Sequence, residues 1–210
     1  MIQNRFLPRL LAVLAVSALV AGCATSPRAT DRVRVLNGAM TVAAPAGYCV
    51  DPSARKSSAQ GDFVLFGSCA AISGDASSPR APYPAMLSAT VGPKAAAPLV
   101  RSFPAFEAFF HSAAGRAAIA RSGLAKDVDI LAVRQAGDMM VLKIRDRSVS
   151  GGAPVSPVYW RAIADFDGHI AALSVLPQRG AAMSDSAQIA LLGRFEDTIR
   201  AADAAGGLHN

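Results

Sequence analysis

The densest group of side chains with chemical potential is the run Asp165-Phe166-Asp167-Gly168-His169. Two carboxylates and an imidazole within five residues resemble the beginning of a metal-ligand set, since oxygen and nitrogen donors hold divalent cations. A calcium loop needs more oxygen ligands and a distal glutamate, which this run lacks. An Asp-Gly pair between two apolar segments is also typical of a two-residue hairpin turn. That hairpin sends Asp165 and His169 to opposite faces of a sheet, so we expect no metal site.

Other catalytic patterns are weak or missing. His111 follows Glu107 by four residues, which is the spacing of an exposed pair on a helix. The run Gly67-Ser68-Cys69 lacks the Gly-x-Ser-x-Gly pattern of a hydrolase nucleophile. Zinc-protease, phosphate-cradling and dinucleotide-binding patterns are also absent from the sequence. We therefore expect no catalytic residue, no metal and no cofactor.

Cys23 is the residue whose setting most clearly predicts a chemical modification. Residues 1–9 are basic and lack acidic side chains, and residues 10–21 form a twelve-residue apolar run. This run is shorter than the ~20 residues of a transmembrane helix and has the length of a signal-peptide core. It ends in Val20-Ala21-Gly22-Cys23, which resembles the lipobox of bacterial lipoproteins, where small residues precede a cysteine that becomes lipidated.

The resemblance to bacterial lipoproteins implies a location. It implies that a signal peptide of residues 1–22 is removed and that lipid on Cys23, including palmitate, holds the mature protein to a membrane. Ala24 follows the cysteine instead of Asp, which resembles the outer-membrane sorting pattern of Gram-negative lipoproteins. We expect an outer-membrane protein whose domain lies in the periplasm. An ordinary signal peptide with a chance cysteine is the alternative.

Cys49 and Cys69 remain as a pair once Cys23 is assigned to the lipid. Export places them in an oxidising compartment, where a remaining even pair predicts one disulfide. The sequence contains no Cys-x-x-Cys pattern, so redox or metal use is the lesser alternative. A closed loop of about 20 residues is expected to stabilise the fold by ~3 kcal/mol.

Hydrophobic patterning predicts a tether followed by one α+β domain. Residues 23–32 are small and polar, residues 33–205 carry the regular elements, and residues 206–210 form a tail. Alternating apolar residues and turn signals predict eight strands. These strands are residues 33–36, 39–43, 63–66, 86–91, 129–135, 139–145, 158–166 and 169–176.

Two helices are predicted from apolar residues that recur with helical spacing. The first begins after a Ser102 cap and runs to about Arg121. The second begins near Asp185, with Gln188 completing a capping box, and ends at Gly206. We expect an antiparallel sheet of hairpins covered by both helices on one side.

This order of elements resembles the PsbP-like fold, which is shared by photosystem accessory proteins and Ran-binding Mog proteins. The resemblance covers most of the mature chain and consists of element order alone. It implies a fold but no functional residue, because one fold hosts many functions.

Four residues lie off the predicted core and are candidates for a surface that binds a partner or a ligand: Phe103, Phe109, Arg145 and Arg161. Exposed apolar surface often marks interaction sites, and arginine side chains suit anionic groups. The two arginines are expected to share the mixed face of the sheet. The alternatives are that the two phenylalanines cover the Pro-rich loops and that the arginines lie on a solvated face.

Charge and composition narrow the class of function. The chain has 21 Lys and Arg against 15 Asp and Glu, a net charge of +6, without a long basic run. Nucleic-acid-binding proteins concentrate such charges on one face, so we expect no nucleic acid partner. We expect a non-catalytic lipoprotein, an accessory or scaffold domain that binds another envelope protein. A small-ligand binder with an apolar pocket is the alternative, and a hydrolase with dispersed catalytic residues is a lesser one.

Overall fold

The computed structural model describes residues 29–95, 103–149 and 152–207. The strands in these ranges are Arg32–Val35 (β1), Met40–Ala43 (β2), Tyr48–Val50 (β3), Lys56–Ser58 (β4), Gly61–Ser68 (β5), Ala85–Lys94 (β6), Val128–Ala136 (β7), Met139–Asp146 (β8), Val158–Phe166 (β9) and His169–Pro177 (β10). The helices are Cys69–Ser73 (α1), Phe103–His111 (α2), Ala113–Ile119 (α3) and Asp185–Gly207 (α4).

One antiparallel sheet carries the fold. Its strand order is β3-β5-β6-β10-β9-β8-β7, and the short β4 pairs with β5 on the same side as β3. Strands β1 and β2 form a separate two-stranded ribbon. The predicted class, α+β with an antiparallel sheet, is confirmed. The sequence patterns missed β3, β4 and α1, which are too short to show a clear period.

The hairpin of β9 and β10 shows how local sequence sets the register. Asp167 and Gly168 have φ angles of 51° and 89°, in the left-handed region that a tight hairpin turn requires. The turn aligns Trp160 with Val175 and Arg161 with Ser174. Because opposite residues share a face, this register decides which side chains reach each core.

Both faces of the sheet are covered, which corrects the expectation of a single covered face. The first core lies between the sheet, α4 and the ribbon, and includes Trp160, Leu173 and Phe195. The second lies between the opposite face, α2 and α3, and includes Leu142 and Tyr159. We call these the α4 face and the α2 face. The two predicted helices lie on opposite faces, a choice that hydrophobic patterns along the chain do not record.

The predicted single helix from Ser102 to Arg121 is instead two helices that meet at Ser112. Ser112 has an extended backbone, and its hydroxyl accepts a hydrogen bond from the Gly115 amide at 3.1 Å, which caps the start of α3. A Cβ at Gly115 would lie 2.0 Å from the Phe109 carbonyl oxygen, so the turn is closed by backbone contact. Ser102 lies outside the described residues.

Helix α4 begins at Asp185 as predicted, but the residues that satisfy its first turn differ. The Ser184 hydroxyl accepts a hydrogen bond from the Ala187 amide at 3.2 Å, so Ser184 is the cap. Gln188 does not close a capping box. Its Oε1 accepts a hydrogen bond from the Trp160 amide at 3.2 Å, and its Nε2 donates to the Met183 carbonyl at 3.1 Å. Gln188 therefore ties the helix to β9.

The far end of α4 holds the ribbon against the sheet. The Asp203 carboxylate accepts a hydrogen bond from the Thr41 amide at 2.8 Å, and the Phe195 ring meets Phe66 edge-to-face at 5.5 Å. None of the helices in the described ranges is both long and apolar enough to cross a membrane.

Candidate functional site

The disulfide predicted between Cys49 and Cys69 is present, with Cα atoms 4.8 Å apart. It joins the middle of β3 to the first residue of α1, and both cysteines are buried. Cys23, the candidate for lipidation, lies outside the described residues. The disulfide is a structural link, since its two sulfur atoms are bonded to each other and neither is a free thiol.

The Asp165–His169 cluster is a hairpin turn, as the sequence suggests. Asp165 pairs with Ile170 while His169 pairs with Phe166, so their side chains project from opposite faces. The Asp165 carboxylate accepts a hydrogen bond from the Gly168 amide at 2.7 Å, which holds the turn. Within residues 29–95, 103–149 and 152–207, no three His, Cys, Asp or Glu side chains are grouped to hold a metal ion.

The two candidate phenylalanines have different surroundings. Phe103 is half-buried against the second core, together with Phe106 and Phe110. Phe109 points away from that core and is 47% exposed, although its ring packs edge-to-face against Phe110 at 4.9 Å. Of these two phenylalanines, only Phe109 is therefore available to a partner.

The two candidate arginines do not share a face. Arg161 pairs with Leu142 on the α2 face, whereas Arg145 projects from the opposite face and is exposed. The Arg161 guanidinium donates to the Ile119 carbonyl at 2.7 Å and to the Ser174 hydroxyl at 2.9 Å. It thereby closes the last turn of α3, where a cation is favourable. Arg161 has a structural role in these contacts.

A buried polar group lies beside Arg161. The Asp146 side chain is fully buried, accepts hydrogen bonds from the Ser148 amide and hydroxyl, and lies 3.9 Å from the Arg121 guanidinium. Burial raises the pKa of the neighbouring Tyr159 phenol, which has no hydrogen-bond partner in the described structure. These groups lie under the end of α3, so they are enclosed by the fold.

Among the described residues, the largest exposed apolar side chains lie on, or directly after, elements that contact one another. Phe109 is on α2, Leu124 follows α3 and is 50% exposed, and Leu131 is on β7 and is 41% exposed. Both α2 and α3 contact β7. We call these three residues the apolar edge. Strand β7 is the last strand of the sheet, so this surface lies along a sheet edge.

Leu131 occupies a β-bulge. The pairing of β7 with β8 shifts between Ile130 and Ala132, which leaves Leu131 as the extra residue. Edge strands are commonly protected by bulges and charged side chains, yet here the bulge presents a leucine. The sequence signal for this bulge is the adjacent apolar pair Ile130-Leu131, which breaks the alternation of apolar and polar residues in the strand. No sequence pattern around Leu124 indicates that its side chain is exposed.

A cationic groove of about 410 Å³ borders the apolar edge. The Arg147 guanidinium contacts the Asp129 carboxylate at 2.6 Å and the Lys126 carbonyl at 2.7 Å. Arg116 donates to the carbonyl groups of His111 and Ala125. Because these arginines bind backbone carbonyls at the end of α2 and in the segment between α3 and β7, they fix the shape of this side of the molecule.

Two further grooves lie at the opposite half of the sheet, on either side of the β1–β2 turn. One has a volume of about 370 Å³ and is bordered by Arg34, Arg200 and Asp203. The other has a volume of about 610 Å³ and is bordered by Asp62, Lys94 and His169. The borders of these grooves mix polar and charged residues with apolar ones, unlike the apolar pocket expected of a hydrophobic ligand.

These features define a class: an α+β domain built on one antiparallel sheet with helices on both faces. No protein-family model matches the chain, and no curated protein matches it significantly. Among solved structures, it is similar to the solution structure of cyanobacterial PsbP (CyanoP) from Synechocystis sp. PCC 6803. The two are 12% identical, the alignment covers 88% of this chain and 96% of that chain, and the TM-score is 0.38. At these values the similarity carries no argument about function.

Proposed function

We propose that this protein is a lipid-anchored accessory domain of the outer membrane, without catalytic activity of its own, which binds another envelope protein on the periplasmic side. The anchor is the lipid carried by Cys23, and the binding surface is the apolar edge. The disulfide between Cys49 and Cys69 supports export, because disulfides persist in oxidising compartments.

The observation that carries the proposal is the exposure of Phe109, Leu124 and Leu131 on neighbouring elements. Large apolar side chains exposed on neighbouring elements favour association, because a partner removes them from water. Leu131 lies on the edge strand β7, whose unpaired backbone groups a partner strand can use.

The alternative of a small-ligand binder rests on a different observation. The 610 Å³ groove lies beside a turn with left-handed non-glycine residues, Leu36 and Asn37. Such backbone conformations are concentrated at binding sites. The groove is bordered by both polar and apolar residues, so this alternative differs from the apolar pocket that the sequence suggests for ligand binding.

The proposal is tested by photo-crosslinking in the native cell. A photoreactive amino acid replaces Leu131 in the full-length protein, and the matched control carries it at Ala190, an exposed residue of α4 on the other face of the sheet. We expect position 131 to give one specific adduct with an envelope protein and position 190 to give none.

A second variant relates the adduct to the apolar edge. Phe109→Ser, introduced alongside the photoreactive residue at 131, is expected to lower the adduct yield at least tenfold while leaving the free energy of unfolding nearly unchanged. Two outcomes would show that the apolar edge is not the binding surface. One is that positions 131 and 190 give the same adducts, and the other is that the adduct persists at full yield in Phe109→Ser.

A further inference from the structure

The 610 Å³ groove is formed where several chain segments meet at one end of the α4 face. The β1–β2 turn lies over it, the β4–β5 turn forms one side, and the ends of β6 and β10 form the floor. We call it the turn groove. The side chains that give it chemistry are Asp62, Lys94 and His169. Loops converging at the end of a sheet are a common setting for binding residues.

Asp62 brings a carboxylate into the turn groove from β5. The residue is 8% exposed, and its side chain shares the α4 face with Val64 and Phe66. Its Oδ2 accepts a hydrogen bond from the Leu36 amide at 2.7 Å. Its Oδ1 has no hydrogen-bond partner among the described residues. Oδ1 is therefore the carboxylate oxygen left to accept a hydrogen bond from a cationic donor in the groove, and such charge-assisted hydrogen bonds are stronger than neutral ones.

His169 has one ring nitrogen already committed. Its Nδ1 lies 3.1 Å from the Gly92 carbonyl oxygen, which only accepts hydrogen bonds, so Nδ1 carries the proton. Nε2 is therefore the nitrogen left for a second partner. The contact with Gly92 fixes the ring orientation, as backbone carbonyls do for functional histidines.

Lys94 lies directly opposite His169 in the β6–β10 pairing, so the two side chains share a face. The lysine stem is close to Gly168, where a Cβ would lie 3.1 Å from the lysine Cε. Within the described ranges, no carboxylate lies within 4.0 Å of its ammonium group. The ammonium is therefore available to an anionic group.

The turn above the groove is held in an unfavourable backbone conformation. Leu36 and Asn37 have φ angles of 52° and 56°, followed by Gly38 at 92°. A positive φ is rare for leucine, because its Cβ crowds the backbone. The Asp62 carboxylate is the group that bonds the Leu36 amide in this conformation. A strained turn maintained over a charged groove points to a function that needs the turn in this position.

We infer that the turn groove binds a small zwitterion with an ammonium and a carboxylate group, such as a free amino acid. The ligand's ammonium group donates to the free oxygen of Asp62 and to Nε2 of His169, which carries a lone pair because the proton is on Nδ1. Its carboxylate contacts the Lys94 ammonium. Neither a simple anion nor a simple cation suits the groove, because each meets a like charge at one end. This site goes beyond the proposed partner surface, since the apolar edge lies on α2, the loop after α3 and β7.

The inference is tested by titrating the full-length lipidated protein in detergent with L-alanine and following amide chemical shifts. Two matched compounds each lack one charge: N-acetyl-L-alanine lacks the ammonium group, and L-alaninamide lacks the carboxylate. We expect L-alanine to shift the amides of Leu36, Gly61 and Gly168. We expect at least tenfold weaker binding of the other two compounds.

Two variants assign the contacts. Lys94→Met and Asp62→Asn are each expected to weaken L-alanine binding at least tenfold, and the asparagine retains a carbonyl oxygen for the Leu36 amide. Lys126→Met and Asp138→Asn, at exposed sites outside the groove, are the matched controls and are expected to bind normally. No shift at 50 mM L-alanine (about the limit of weak binding), equal binding of N-acetyl-L-alanine, or normal binding by both groove variants would overturn the inference.

Discussion

At the scale of single residues, close backbone contacts decide where glycine is required. Gly115 lies at the α2–α3 junction, where a Cβ would lie 2.0 Å from the Phe109 carbonyl oxygen and 2.7 Å from the Phe110 Cα. Those atoms belong to the backbone and cannot move aside as a flexible side chain can. The small residue therefore permits the sharp change of direction between the two helices.

We predict that Gly115→Ala lowers the free energy of unfolding by about 1–3 kcal/mol or more, as overpacking does. The matched control is Gly193→Ala in α4, where a Cβ meets only the end of the Met139 side chain at 3.9 Å. Alanine favours a helix interior over glycine, so this control is expected to stabilise by about 0.5–1 kcal/mol. Urea unfolding measures both. Equal effects in the two variants would contradict the contact argument.

A buried phenol gives the protein a dependence on alkaline pH. Burial raises the pKa of Tyr48 to about 12, whereas an unfolded chain has a value near 10. Since the folded protein holds this proton more tightly, the associated stability is complete below pH 10 and is lost as the pH rises towards 12.

We predict that the free energy of unfolding falls between pH 10 and pH 12, with about 2 kcal/mol of the loss due to Tyr48. In Tyr48→Phe the slope over this range should be smaller, because the titrating group is gone. At pH 7 the variant loses only a long hydrogen bond, from the Tyr48 hydroxyl to the Tyr83 carbonyl at 3.4 Å. Denaturation at several pH values compares the two slopes, and identical slopes would exclude Tyr48 as the cause.

At the scale of elements, the disulfide joins two segments with few other constraints. Strand β3 has three residues and helix α1 has five, and the bond between Cys49 and Cys69 links them across a separation of 20 residues. Short elements of this kind rely on tertiary links, because few hydrogen bonds hold them locally.

We predict that reducing this disulfide lowers the free energy of unfolding by about 3 kcal/mol, the value for a loop of this length in the chain-entropy model. The measurement is denaturant unfolding with and without a reductant. The double variant Cys49→Ser/Cys69→Ser serves as the control, and its stability should be unaffected by the reductant. A reductant effect in that variant would mean that the loss comes from elsewhere.

At the scale of the whole molecule, the proposed anchor and the folded domain are separate in the chain. Strand β1 begins at Arg32, nine positions after Cys23. A segment of nine residues spans at most about 30 Å when extended, so a lipid on Cys23 would hold the domain close to its membrane. The proposed partner is therefore within reach only if it is also membrane-associated or periplasmic.

We predict that Cys23→Ala abolishes labelling with a palmitate analogue and moves the protein from the outer-membrane fraction to a fraction without membranes. The reason is that acyl chains supply the membrane affinity, at ~0.8 kcal/mol for each buried CH₂ group. Cell fractionation with immunodetection measures the location. Unchanged membrane association of the variant would contradict the proposed anchor, whereas the Cys49→Ser/Cys69→Ser control should keep both the label and the location.

Local sequence predicted the hairpins well and the helices less well. Asp167-Gly168 specified both the turn and the register of Trp160 opposite Val175, because a two-residue turn permits one alignment. The break at Ser112 was not predicted, because the apolar spacing of Phe106 and Phe110 continues through Ala113 and Ala117. The helix breaks because the Ser112 hydroxyl caps the start of α3 and because Gly115 allows close contact with the Phe109 carbonyl, and neither feature alters the apolar spacing.

The sequence by itself determined the α+β class, the main hairpins, the pairing of the two cysteines and the prediction of a lipid anchor, since each depends on neighbouring residues or on counting. Only the tertiary structure decided which helix covers which face, that Arg145 and Arg161 lie apart, and that Leu124 and Leu131 join Phe109 at one edge. It also brought Asp62, Lys94 and His169 to one groove. These outcomes depend on strand order and on contacts between residues far apart in the chain, which no local pattern encodes.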